Sequence, residues 1–226
     1  MDAQHIASIY NQSLAENYDS RLLGESRRVS FELETLSKLL ANADSWIDVA
    51  CGTGYFLSQF PDVKRAGFDV SPSMANKARE KNPTALFIDV ADYRDAVPAW
   101  EGRWDLVTCM WQAYNYVNSL IELEQVIANF ASWTADGGTC FMPFGAPIGS
   151  KPAFPYRRPA QSVWGGTVVN LAMIWSWEDD STGALHENLI EPHPDHMVTM
   201  FERNFPRVEV LTYPAEGLHA VLARKI

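Results

Sequence analysis

The chain has 226 residues, 47% hydrophobic and 20% charged, the balance of one globular domain with a substantial core rather than of a disordered or fibrous chain. Its net charge of −10, with adjacent arginines only at Arg27-Arg28 and Arg157-Arg158, provides no basic stripe to collect phosphates and argues against nucleic acid as a partner. The opening MDAQHIASIYNQSLAENYDS lacks the apolar core of a signal peptide, and no stretch approaches the roughly 20 apolar residues of a membrane span, so a cytoplasmic protein with no membrane partner is expected.

In chain order, Val29, Leu33, Leu36 and Leu40 recur at helical spacing and mark a helix ahead of a short buried strand, residues 45–50. The glycine loop CGTG follows, then a helix start at Phe56 that Pro61 closes early. Arg65 to Val70 reads as a second strand. Ser71 caps the next helix, and Pro72 suits its first turn. Leu86–Val90 and Trp104–Met110 give strands three and four. Leu123, Val126, Ile127 and Phe130 form another helical stripe, and Gly138–Phe144 gives strand five.

Strands alternating with helices predict a parallel sheet covered on both faces, with ligands at the carboxyl ends of its strands. Five of the thirteen prolines then fall between Pro143 and Pro159, marking a long irregular connection. From Gly166 to Trp177 the residues alternate, with Val169, Leu171, Met173, Trp175 and Trp177 on one face. The turn-like DDSTG joins this run to Ala184–Ile190 as an antiparallel hairpin. A helix over 196–205 and two strands, Arg207–Tyr213 and His219–Arg224, end the chain. Cys51, Cys109 and Cys140 have no CxxC spacing and lie in or beside apolar runs, which predicts buried free thiols.

Chemistry enters at DVACGTGYF. A dinucleotide loop would read GxGxxG, but the third position here is Leu57, which weakens a nicotinamide reading. What remains is Asp48 ending the first strand, Gly52 and Gly54 allowing close backbone approach, and Asp69 ending the second strand. Asp69 suits a ribose with both hydroxyls free. Asp48 would repel a pyrophosphate and attract a cationic amino-acid moiety, so the loop fits a nucleoside with a positive amino-acid tail.

DVACGTGYF, GFDVSPSMANKARE, FIDVADYRD and WDLVTCMWQAYNYV, in that order, resemble the four cofactor-binding segments of class I S-adenosylmethionine-dependent methyltransferases of the small-molecule type. The later hairpin and last helix are similar to the amino-sugar and glycine N-methyltransferase-like group. The resemblance implies a Rossmann-like, doubly wound, mostly parallel seven-stranded α/β sheet with an antiparallel last strand and a β-hairpin insertion after the fifth. It divides a single domain into a helical cap (1–44), a cofactor core (45–144), an acceptor-side loop and hairpin (145–192) and a closing helix with two strands (193–226). S-adenosylmethionine would be the methyl donor and S-adenosylhomocysteine the product.

Carried over residue by residue, the resemblance implies that Asp48, Ala50, Gly52 and Gly54 line the methionine portion and that Asp69 holds the ribose. Val70 and Met74 flank the adenine. Asp89 with Val90 meets its edge, with Asp92 the competing residue. Met110 and Trp111 lie under the sulfonium. The cluster Gln112, Tyr114, Asn115 and Tyr116 is expected to orient the acceptor, with ordinary packing claiming part of it. Tyr18, with Tyr10 and Asp19, stands where relatives fold a segment over the cofactor, and Arg27 or Arg28 is a candidate partner for the cofactor carboxylate. His193 is the general-base candidate beside Gln112. No histidine or cysteine spacing suggests a metal.

The expected reaction is direct in-line transfer to a small-molecule acceptor, with nitrogen favoured over oxygen. An S-adenosylmethionine-binding regulatory module without transfer and an O-methyltransferase are the alternatives. A monomer or homodimer is expected.

Overall fold

The computed structural model describes residues 1–23, 26–145, 156–160, 165–180, 182–214 and 218–226. Five strands make up the parallel part of the sheet: Ser45–Val49 (β1), Lys64–Asp69 (β2), Ile88–Val90 (β3), Trp104–Cys109 (β4) and Thr134–Phe144 (β5). Two small antiparallel pairs follow. Arg157–Pro159 (β6) pairs with Thr167–Val169 (β7), and Ala172–Asp179 (β8) pairs with Ala184–Pro192 (β9). Arg207–Thr212 (β10) and His219–Arg224 (β11) then return to the main sheet, whose order is β10-β11-β5-β4-β1-β2-β3. β1 to β5 are mutually parallel, and β11 runs antiparallel to both its neighbours, as expected.

The helices are Ala3–Ile9 (α1), Gln12–Tyr18 (α2), Arg27–Leu40 (α3), Tyr55–Ser58 (α4), Pro72–Lys81 (α5), Leu120–Trp133 (α6) and Pro194–Glu202 (α7). A π turn, Asp19–Leu23, prolongs α2. Ser26, Ser71 and Ser119 each accept a backbone N–H of the first turn they cap, satisfying a donor the helix cannot. Both faces of β1 are buried, Ile47 and Val49 in one core cluster and Trp46 in the other. One core cluster joins Phe68, Trp104, Trp133, Phe130 and Phe201, and a second joins Leu36, Trp46, Leu57, Ala75 and Phe141.

Two expectations change. The single alternating strand over 166–177 is divided, because Thr167–Val169 is taken by β6 while Ala172 onward pairs with β9. Its apolar face is also not core: Met173 and Trp177 are 42% and 39% exposed. The proline-rich connection falls largely outside the described residues. The last helix begins earlier than expected, at Pro194, and still buries Met197, Met200 and Phe201.

Candidate active site

A cleft partly open to solvent lies at the carboxyl ends of β1, β2 and β4. Its floor is the loop after β1. Ala50, Gly52 and Gly54 all have positive φ (53°, 56° and 69°), so the chain coils tightly there and turns backbone toward the cleft. The two glycines serve different purposes. A Cβ on Gly54 would stand 2.6 Å from Asn82 Nδ2 and 2.9 Å from Ala78 Cβ, so this glycine lets the loop close against α5. A Cβ on Gly52 would meet nothing within 4 Å, which leaves space beside the backbone for a ligand.

Two buried acids face this floor. Asp48 is 1% exposed and accepts the Thr108 hydroxyl at 2.6 Å, while Trp46 Nε1 donates to that hydroxyl at 2.8 Å. Burial pushes the Asp48 carboxyl up to about 7 against the help of Thr108. Asp69 is 8% exposed and accepts from Gly52 N at 2.8 Å and Ser71 N at 2.9 Å. Burial raises it to about 6, the two N–H groups opposing. An ionised carboxylate has roughly four lone-pair sites. Two on Asp69 remain for a ligand.

The turn after β4 supplies the opposite wall. Met110 and Trp111 line the cleft, and both Trp111 and Gln112 adopt left-handed φ (54° and 58°), strain of a kind that collects at functional sites. Trp111 Nε1 donates to Glu32 Oε2 at 2.9 Å, and the Arg28 guanidinium lies 4.1 Å over the indole. Arg28 Nε donates to Glu32 at 3.0 Å and Nη1 to Gln112 Oε1 at 3.4 Å. Nη2 is buried with no hydrogen-bond partner among the described residues. Burial raises the Glu32 carboxyl, opposed by Arg28, Trp111 and Tyr213.

The N-terminal segment forms a further wall, on which Ile6, Tyr10, Tyr18 and Leu23 line the cleft. It is tied down by Asp19, which accepts from Thr53 and pairs with Lys81, and by the Ser71 hydroxyl donating to Tyr10 O at 2.5 Å.

Of the residues singled out from sequence, Asp48, Ala50, Gly52, Asp69, Val70, Met74, Met110, Trp111, Tyr18 and Tyr116 converge on this cleft. Asp89 and Val90 do not: both are exposed, and Asp92 stands on the wall, held by Arg94 through both carboxylate oxygens. Tyr114 is wholly buried with its hydroxyl on Glu191 (2.9 Å), and Asn115 Nδ2 reaches the same carboxylate at 3.2 Å. Packing has claimed these two. The Gln112 amide is engaged by Arg28 and by the Gly145 carbonyl.

His193 is not on the cleft wall. It caps α7, accepting Asp195 N at 3.2 Å, and stacks on Tyr156 at 4.8 Å. A general base must reach its proton directly or through one water, so this geometry gives His193 a capping role instead. Sequence reasoning missed Glu32 and Glu191. Glu32 had a signal: it sits at helical spacing between Val29 and Leu36, on the face that α3 buries.

A methyltransferase domain family matches residues 47–138, from β1 through the start of β5. A dTDP-3-amino-3,6-dideoxy-alpha-D-glucopyranose N,N-dimethyltransferase of Streptomyces fradiae is 28% identical over 202 residues, covering 86% of this chain and 77% of the relative. The chain carries a methyltransferase domain and is similar to S-adenosylmethionine-dependent methyltransferases of the small-molecule type. Among solved structures, DesVI of Streptomyces venezuelae superposes on this methyltransferase with a TM-score of 0.66 at 23% identity, over 94% of this chain and 98% of that one. The amino pentose methyltransferase CalS10 of Micromonospora echinaspora, solved with S-adenosylmethionine bound, gives 0.64 at 19% identity over 95% and 98%. At these identities the two likenesses show a shared fold.

Proposed function

We propose that this methyltransferase methylates the amine of a nucleotide-linked amino sugar. The observation that carries the reading is the likeness to the Streptomyces fradiae N,N-dimethyltransferase across most of both chains. The donor set in the cleft suits the methyl donor. Asp48 would hold its ammonium, Gly52 would give its backbone room, and Asp69 would take the ribose hydroxyls. Arg28 Nη2, buried and unpartnered, would meet the carboxylate, a charge-assisted contact. Val70 and Met74 would flank the adenine and Asp92 meet its edge. Met110 and Trp111 would lie beneath the sulfonium.

The sulfonium supplies an already activated methyl group. The chain's task is then positioning, in which well-oriented partners gain about 7 to 11 kcal/mol. Tyr10, Tyr18 and Tyr116 present phenol groups on the cleft wall and would orient the acceptor amine. The test is incubation of the purified protein with S-adenosylmethionine and dTDP-3-amino-3,6-dideoxyglucose, read by mass spectrometry. One or two added methyl groups support the proposal. Binding of S-adenosylmethionine without any methylated amine would favour a regulatory module, and methylation of a hydroxyl would favour the oxygen-directed alternative.

A further inference from the structure

β9 contains a bulge. Trp175 pairs with Leu189 but Trp177 pairs with His186, so β9 carries one residue more than β8 between these pairs. The extra residue is accommodated at Asn188, whose φ is 53° and whose N–H donates to Ser176 Oγ at 3.0 Å. A bulge changes which side chains face the core. Here His186 is 2% exposed and Glu187 is exposed, and His186 stacks on Trp177 at 4.4 Å and 7°.

The ring so placed is linked to the cleft through two tyrosines. His186 Nδ1 lies 2.6 Å from the Tyr116 hydroxyl, which lies 2.8 Å from the Tyr10 hydroxyl, and both tyrosines line the cleft. We propose that Tyr10, Tyr116 and His186 form a proton relay that takes a proton from the acceptor ammonium and delivers it to the hairpin. The proposal rests on the amine-methylating reading above. A primary or secondary ammonium has no lone pair for attack, so each methyl transfer must be preceded by loss of a proton.

The relay balances. The ammonium N–H breaks and its proton goes to the Tyr10 oxygen, the Tyr10 proton passes to Tyr116, and the Tyr116 proton passes to Nδ1. Both phenols end unchanged, the imidazole is cationic, and the amine keeps the electron pair that attacks the methyl carbon. The carbon–sulfur pair stays on sulfur. Neither phenol need ionise as a free group, which burial strongly opposes in both. The groups facing His186 are Tyr10 and Tyr116, with the β8 carboxylate Asp179, itself held by Arg21 at 2.9 Å. Burial lowers the His186 pKa and Asp179 opposes it, a balance that favours the neutral ring as the proton acceptor.

The direction of the relay depends on the tautomer. With the lone pair on Nδ1, Tyr116 donates to His186 and Tyr10 donates to Tyr116, leaving the outer Tyr10 oxygen free to accept. The opposite tautomer reverses the chain.

Nitrogen-15 NMR of the histidine-labelled wild-type protein at pH 7.5 reads this without any acceptor. An Nε2–H ring at His186, assigned by loss of its signal in His186→Gln, and perturbed in Tyr116→Phe, is expected. An Nδ1–H ring would overturn the proposal. Once an amine acceptor is in hand, kcat of the wild type should stay level below the amine pKa until His186 protonates. In His186→Gln it should fall about tenfold per pH unit below the amine pKa, with binding of S-adenosylhomocysteine unchanged. Parallel profiles in both proteins would also overturn the relay. Failure of every amine to react, with the NMR result as expected, would count against the acceptor reading alone.

Discussion

Replacing Asp48 by Asn should make the ligand-free protein more stable while weakening its hold on the methyl donor. The Asp48 carboxyl titrates near 7 instead of the ordinary 3.8, because burial beside Asp69 and Glu32 disfavours its charge. At about 1.4 kcal/mol per pH unit, the ionised form costs about 4 kcal/mol at pH 8 relative to a permanently neutral group. Since the folded pKa is the higher one, the protein binds the proton more tightly when folded, and stability is lost as pH rises from about 4 through about 7. At pH 5 the cost shrinks to about 2 kcal/mol. Asn keeps the acceptor for the Thr108 hydroxyl and removes the charge.

Urea unfolding of both proteins at pH 5 and pH 8 should show the variant more stable at both, with the margin roughly doubling at the higher pH. Calorimetry with S-adenosylhomocysteine, which retains the ammonium, should show binding weakened by about 10- to 100-fold, the value of a charge-assisted hydrogen bond. A variant no more stable at pH 8 than at pH 5, relative to wild type, would refute the burial argument.

Glu191→Ala strands three donors, Tyr114, Asn115 and Gly145 N–H, and should lower stability in urea by about 3 kcal/mol or more. Glu191→Gln should cost less and gain on wild type as pH rises through about 7, where the raised Glu191 carboxyl ionises. Gly54→Ala meets Asn82 and Ala78 and forces a left-handed alanine, so a loss of about 2 to 4 kcal/mol is expected from the same measurement. Arg28→Lys removes the planar fork between Glu32, Gln112 and the cleft, and should raise the S-adenosylhomocysteine dissociation constant about tenfold by calorimetry.

The sheet was legible because β1, β2 and β4 are short apolar runs ended by turn residues, and a strand between parallel neighbours has no polar face to disguise it. Asp48 and Asp69 were legible for a related reason: strand ends fix where carboxylates sit. Asp92 and Asp89 were not separable, because Asp89 lies in the three-residue β3 and Asp92 just beyond it, and the sequence does not mark where so short a strand stops. His186 was hidden more deeply. Only the extra residue at Asn188 brings it into register with Trp177 and against Tyr116, and a one-residue slip would have turned it away. Glu191 was reachable only through tertiary contact with a turn 77 residues earlier.

The most direct measurement is calorimetric titration of S-adenosylhomocysteine into wild type and Gly52→Ala, with thermal melting as a control. Gly52 lines the cleft and has open space where a Cβ would stand, so the variant should melt close to wild type, allowing about 1 kcal/mol for a left-handed alanine. Micromolar binding to wild type, weakened at least about tenfold in the variant, is the expected result. Equal binding to both proteins, or none to wild type, would contradict the placement of the methyl donor on this loop.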